Sequence, residues 1–146
     1  MNALSEQLLD GLQITSWNED MEDLDPWVTL DQLEKVFSER EIRTDRNKEP
    51  SLLVLDGDEV VGGSYHSVTE GGNCFSFDIC VLPAYERRGI ATKLIQMELA
   101  EARHMECERV WVWAVNPWMA KTLEDKFGFS VTQNLGGGAA TLELYL

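Results

Sequence analysis

The chain has 146 residues, enough for one domain spanning 1–146, and its 44% hydrophobic content with five Trp and five Phe suffices for a packed core. Its 26 Asp and Glu against 12 Lys and Arg give a formal net charge of −14. That sign argues against direct nucleic-acid binding, which needs clustered cations, and against anionic membranes; it favours cationic partners such as amines, basic peptides or basic protein surfaces, and leaves a nucleic-acid mimic as a competing idea.

Leu12 to Trp17 reads as a short strand. A crowded acidic stretch follows, with Glu19, Asp20, Glu22, Asp23 and Asp25, and no Lys or Arg precedes Lys35. Thr29 and Gln32 have capping-box spacing, and Leu30, Leu33, Val36 and Phe37 recur at helical intervals, predicting a helix from about Leu30 to Arg40. Glu41 to Pro50 is polar and reads as a loop. Leu52–Leu55 and Val60–Val68 form strands around the turn Asp56-Gly57-Asp58, and Cys74–Leu82 makes a third after Glu70-Gly71-Gly72-Asn73.

Beyond Pro83 the period changes. Ala91, Leu94, Ile95, Leu99 and Ala102 share one face of a helix from about Arg88 to His104. Val110–Val115 is a buried strand, Asn116-Pro117 opens a helix to about Phe127, and Gly128 stops it. Phe129–Gln133 and Thr141–Leu146 read as final strands around Gly136-Gly137-Gly138. This order predicts an α+β (α/β layered) fold with a mixed, mostly antiparallel sheet. The crossover helix makes Cys74–Leu82 and Val110–Val115 a parallel pair.

Cys74, Cys80 and Cys107 are an odd count with no C-x-x-C and no zinc spacing, so free thiols, a reducing cytoplasm and no metal are expected. The opening MNALSEQLLDGLQ lacks a signal peptide's charged start and apolar run, and no segment is long enough to cross a bilayer. His66, in a strand, and His104, at a helix end, have no partner at ligand or triad spacing and read as packing or surface residues. Trp111 and Trp113 read as core; Trp17, Trp27 and Trp118 fit either an acceptor slot or the core.

The segment that points to chemistry is Val81-Leu82-Pro83-Ala84-Tyr85-Glu86-Arg87-Arg88-Gly89-Ile90-Ala91-Thr92. A strand ends and a helix begins with small residues in its first turn, where free N–H groups and the helix dipole favour an anion. Arg87 and Arg88 are the first basic residues after a stretch from Ser51 through Glu86 with none. Neither a Walker loop nor a G-x-G-x-x-G fingerprint is present. Alone, the segment reads sooner as a plain strand-to-helix turn with solvated arginines than as an anion site.

A second element, VWVWAVNPWMAKTLEDKFGF, stands downstream. Together the two resemble the GNAT superfamily of acyl-CoA N-acyltransferases. VLPAYERRGIA corresponds to the diphosphate pattern [Q/R]-x-x-G-x-[G/A] behind its V-x-P-x-[YF] strand end. Asn116, Ala120, Leu123, Lys126, Gly128 and Phe129 match the later N-x-x-x-A-x-x-L…K-x-G-F pattern, and LLVLDGDEVVGGSYHSV resembles the first hairpin.

The resemblance, carried by Leu52 to Phe129, implies a GNAT-like fold with helices on both sheet faces and a splayed central parallel pair. It implies that the main chain of Arg87, Arg88, Gly89, Ile90, Ala91 and Thr92 cradles the pyrophosphate of acetyl-CoA, the co-substrate. Cys80 and Val81 would pair with the pantetheine arm, Asn116 would reach the same arm, and the Val81 N–H would face the acyl oxygen. Two positions depart from the pattern. Glu86 replaces a Gln or Arg, and Glu124 replaces a tyrosine that returns a proton to the leaving thiolate. A glutamate serves there only if burial or Asp125 raises its pKa. Asp78 is the general-base candidate, although alternation turns it away from the Phe75 and Phe77 face. The implied function is acetyl transfer from acetyl-CoA to a primary amine, such as a polyamine, a lysine side chain or a protein N-terminus, by direct attack in a ternary complex. The alternative is a GNAT-fold binding protein whose acidic surface engages a basic partner. Homodimerisation through the C-terminal strands is a further implication.

Overall fold

The elements expected downstream of Leu12 all form, and one unexpected strand joins them. The computed structural model describes residues 5–7, 11–18, 24–39 and 48–146. In chain order these carry β1 (Ser5–Gln7), β2 (Gln13–Ser16), α1 (Pro26–Glu39), β3 (Glu49–Asp56), β4 (Glu59–Thr69), β5 (Cys74–Val81), α2 (Ile90–His104), β6 (Arg109–Ala114), α3 (Pro117–Phe127), β7 (Ser130–Gly136) and β8 (Ala139–Tyr145). Of the acidic stretch, Glu19, Asp20, Glu22 and Asp23 lie outside the described residues, as do Arg40 and residues 41–47 of the polar loop. No helix among the described residues is long and apolar enough to cross a membrane.

The chain divides into two compact units, the first comprising the described residues of Met1–Tyr65 with Ile79–Leu94. Its strand order is β1-β2-β3-β4-β5, with β1–β2 and β2–β3 antiparallel; Ile14 stands opposite both Glu6 and Val54. Leu33, Val36 and Phe37 of α1 pack with Leu53, Leu55, Val60, Tyr65 and Cys80 into one core cluster. The helix starts four residues before the expected Leu30. Asp25 caps it, its Oδ1 accepting from the N–H groups of Trp27 (2.9 Å) and Val28 (3.2 Å), and Pro26 takes the first helical position. Thr29, the expected cap, is instead buried within the first turns, its hydroxyl on the Asp25 carbonyl at 2.7 Å. Gln32 closes no capping box, since its Oε1 accepts from the Val60 N–H at 3.0 Å and ties α1 to β4. Two glycines on β4 permit this closeness. A Cβ at Gly63 would meet the Leu52 carbonyl and the Leu33 Cδ1, and one at Gly62 would lie 2.8 Å from the Cys80 carbonyl.

The second unit comprises His66–Asp78 and Ile95–Leu146. Its strands run β4-β5-β6-β8-β7. The expected parallel pair is present, joining Cys74, Phe75 and Ser76 to Arg109, Val110 and Trp111. The β6–β8 and β7–β8 pairs are antiparallel, so the sheet is mixed and mostly antiparallel. Phe75, Phe77, Val110, Val112, Leu123 and Leu142 are buried, filling this unit's interior by strand alternation and by the inner stripe of α3. Trp113, expected in the core, is 54% exposed. Asn116 caps α3 and Gly128 ends it in the left-handed region, as the sequence indicates. Glu98 on α2 is buried, and its Oε2 lies 3.1 Å from the Nδ1 of His66, whose ring also packs 5.0 Å from that of Phe75. His66 therefore has a partner that its sequence neighbourhood did not reveal.

Candidate active site

The turn that joins the last residues of β5 to the first residues of α2, within Ile79–Leu94, lies in the first unit. Leu82 donates its N–H to the Val61 carbonyl at 2.8 Å, tying the end of β5 to β4. Successive residues of a strand direct their main-chain groups to opposite sides, so the Val81 N–H points away from β4. The ladder with β6 has ended earlier, at Ser76. Pro83–Tyr85 then makes a single tight helical turn, with Tyr85 and Glu86 donating to the Leu82 and Pro83 carbonyls at 2.9 and 3.3 Å.

Arg87 and Gly89 both take left-handed backbone angles, φ 62° and 78°. Gly89 suits this directly, having no Cβ to crowd the carbonyl, while Arg87 carries the strain that a side chain brings. The first helical bond runs from the Lys93 N–H to the Gly89 carbonyl at 3.1 Å. The N–H groups of Ile90, Ala91 and Thr92 precede it and have no acceptor inside α2. They point out of the positive end of a helix of 15 residues. A Cβ built on Gly89 meets nothing within 4 Å, so the space over the turn is open. Ile90 is buried and anchors the helix start, whereas Arg87, Arg88 and Gly89 are exposed.

Two contacts brace this turn. The Arg88 guanidinium lies over the Tyr85 ring, 5.2 Å from its centroid. The Tyr85 hydroxyl donates to Asp56 Oδ2 at 2.6 Å, and this hydrogen bond is the main reason its pKa is raised. Sequence reasoning missed both roles; the aromatic residue in the V-x-P-x-[YF] strand end was the available signal for Tyr85. Glu86 is exposed at the position where the resemblance has a Gln or Arg.

Cys80 is buried with its Sγ 3.7 Å from the Val36 carbonyl, so its thiol faces the core and its main chain is what it can offer a ligand. The structure thus brings Cys80, Val81 and Arg87 through Thr92 together on one continuous segment. Asp78, Asn116 and Glu124 belong to the second unit. Asp78 is half-buried on β5, on the strand face opposite Phe75 and Phe77. Asn116 Oδ1 accepts from the Met119 N–H at 2.8 Å, which leaves its amide NH2 as the group for a ligand. Glu124 is exposed on α3.

A model of the acetyltransferase (GNAT) family matches residues 13–129. The chain belongs to this family. Solved structures agree on the fold. The GNAT domain of S. lividans PAT is 18% identical, with TM-score 0.66 over 99% of this chain and 97% of that one. Ard1 from Thermoplasma volcanium is 13% identical, with TM-score 0.68 over 92% and 97%. A GNAT family acetyltransferase from Elizabethkingia anophelis, solved with acetyl-CoA bound, is 16% identical, with TM-score 0.62 over 94% and 99%. No curated protein matches the chain in sequence. GNAT membership accounts for the order of elements read from the sequence, including the parallel strand pair and the glycine-led start of α2.

Proposed function

We propose that this GNAT protein transfers the acetyl group of acetyl-CoA to a primary amine. The observation that carries the reading is the turn from Val81 to Thr92. It offers three first-turn amides, a left-handed Gly89 with open space above it, and two exposed arginines. A diphosphate needs this donor set, because its oxygens accept several N–H groups at once and its charge is favoured at a helix start. Bound there, acetyl-CoA supplies an activated acyl thioester.

The protein's part follows from its own groups. The Val81 N–H, directed away from β4, is the donor for the oxygen that becomes negative as the amine attacks. The amine must be neutral to attack, and Asp78 is the carboxylate this reading assigns to take its proton, directly or through water. The C–N bond forms, the C–S bond breaks, and the thiolate leaves. The Asn116 amide NH2 is the group assigned to the pantetheine arm. The net charge of −14 supports a cationic acceptor, such as a polyamine, a lysine side chain or a protein N-terminus. Three free, buried thiols support a reducing, cytoplasmic setting.

One observation favours a second reading. Glu124 is exposed where the resemblance has a proton-donating tyrosine, which suits a protein that kept the fold and binds a basic partner without chemistry. Thiol release from acetyl-CoA with a panel of amines separates the two: steady release supports the enzyme, and coenzyme binding without release supports the binder. Absence of acetyl-CoA binding by calorimetry refutes both coenzyme-dependent readings.

A further inference from the structure

Tyr85 makes two contacts that core packing does not require. It is absent from the buried core of the first unit, yet its hydroxyl donates to Asp56 Oδ2 at 2.6 Å and its ring lies under the Arg88 guanidinium at 5.2 Å. A hydroxyl-to-carboxylate bond of that length is charge-assisted and stronger than one between neutral groups. Asp56 ends β3, in which Leu53, Val54 and Leu55 are buried, so the anchor stands on the rigid sheet. Contacts thus run from Asp56 to Tyr85 to Arg88, and Arg88 directly precedes Gly89 and the first turn of α2.

Asp56 calls for a reason. A carboxylate beside a diphosphate seat costs affinity through like-charge repulsion, in a chain that already carries −14. Its bond to Tyr85 offsets that cost. An arginine must give up rotamer entropy to hold a phosphate. Stacked on a fixed ring it has given up part of that in advance; stacking uses the flat face of a guanidinium, whose N–H donors lie at its edges.

We infer that Asp56 and Tyr85 are positioning residues for the coenzyme: Asp56 fixes the Tyr85 ring, and the ring holds Arg88 oriented for the diphosphate before it arrives. This rests on the acetyl-transfer reading and extends it to a residue of β3 outside the coenzyme turn. The tyrosine also reports the contact. The hydrogen bond to Asp56 is the first cause of its raised pKa, followed by desolvation and the charges of Asp56 and Glu59, against which Arg88 lowers it.

The test uses the full chain, with CoA binding measured by calorimetry and turnover measured with acetyl-CoA and with acetyl-pantetheine, which lacks the diphosphate. Tyr85→Phe keeps the ring and loses the anchor. It should weaken CoA binding about 3–5-fold and raise the KM for acetyl-CoA alike, with kcat unchanged. Asp56→Asn and Asp56→Ala both remove the charge, but only Asn keeps an acceptor for the hydroxyl. Asp56→Ala should therefore bind CoA about 3–5-fold more weakly than Asp56→Asn. Because the effect passes through Arg88, Tyr85→Phe in an Arg88→Ala background should add less than about twofold. The kcat/KM for acetyl-pantetheine should be the same in wild type and Tyr85→Phe. In the coenzyme-free protein, ultraviolet titration should place the Tyr85 pKa lower in Asp56→Ala than in wild type. An undiminished Tyr85→Phe effect in Arg88→Ala, or an equal loss with acetyl-pantetheine, would mean that Tyr85 only supports the fold, and would overturn the inference. So would an unmoved tyrosine titration, or a wild-type Kd for CoA in Tyr85→Phe; each leaves acetyl transfer standing. Absence of CoA binding by the wild type would remove the acetyl-transfer reading as well.

Discussion

Gly89 is the most direct test of the coenzyme turn, because its backbone angle and its surroundings separate strain from contact. At φ 78°, an alanine there carries about 1–2 kcal/mol of left-handed strain. It makes no clash, since a Cβ meets nothing within 4 Å. Gly89→Ala should therefore lower the Tm by about 3–6 °C for a chain of this size. It keeps every amide of the turn, so acetyl-CoA affinity should fall only about 3–10-fold as the turn relaxes. Gly89→Glu has the same strain and adds a carboxylate beside the proposed diphosphate. At contact distance in water each like-charge pair costs about 1 kcal/mol, so two phosphate charges weaken binding roughly 30-fold further. Titration calorimetry with thermal unfolding, with and without acetyl-CoA, measures both effects. A Gly89→Glu protein that binds acetyl-CoA with the wild-type Kd would refute the assignment of this turn. A Gly89→Ala protein destabilised by far more than strain predicts would refute the claim that the space above it is open.

Three further substitutions probe how the site is held. Asn116→Ala should cost about 1 kcal/mol through loss of the α3 cap, whereas Asn116→Asp keeps the cap and should raise only the KM for acetyl-CoA; melting curves beside steady-state kinetics distinguish the two roles. Gly63→Ala forces a methyl against the Leu52 carbonyl and the Leu33 side chain, and should destabilise by about 2–3 kcal/mol in denaturant titrations. Tyr65 has a folded pKa of about 12, above the ordinary 10. The unfolded chain therefore releases this proton first. The stability contribution is complete below pH 10 and declines as pH rises from 10 to about 12. Chemical unfolding across that range should show the decline, and Tyr65→Phe should make it shallower.

Local patterns carried much of the fold. The helical recurrence of Leu33, Val36 and Phe37 located α1, and the strand-helix-strand order located the parallel pair of β5 and β6. The start of α1 was misplaced because Thr29 and Gln32 mimic a capping box while Asp25, four residues earlier, provides a cap of equal strength. β1 has three residues, too few to show a period, and forms by pairing with β2. In the candidate site, the strand-to-helix turn proposed for the coenzyme was legible as a local shape because Gly89 and the two arginines sit together in the chain. Tyr85 with Asp56 and His66 with Glu98 were not, because each depends on residues about 30 apart, which no local window reports.

The overall charge also makes a claim that a single experiment can check. The protein carries −14, while the local cations at the turn are Arg87 and Arg88. A polyanionic coenzyme approaching from a distance meets repulsion from the whole surface, and attraction only within the turn. Added salt shortens the Debye length to about 10 Å at 0.1 M, which removes the long-range repulsion more completely than the close contacts to main-chain amides. A cationic amine experiences the reverse, since its long-range attraction is what salt removes. Raising NaCl from 20 to 200 mM should therefore leave the KM for acetyl-CoA unchanged or lower it, and raise the KM for a diamine several-fold. Opposite slopes for the two substrates are the signature of an acidic protein that binds its coenzyme by local geometry and draws in its acceptor by field. Parallel slopes would mean that the two arginines dominate coenzyme capture, or that the acceptor is not a cation.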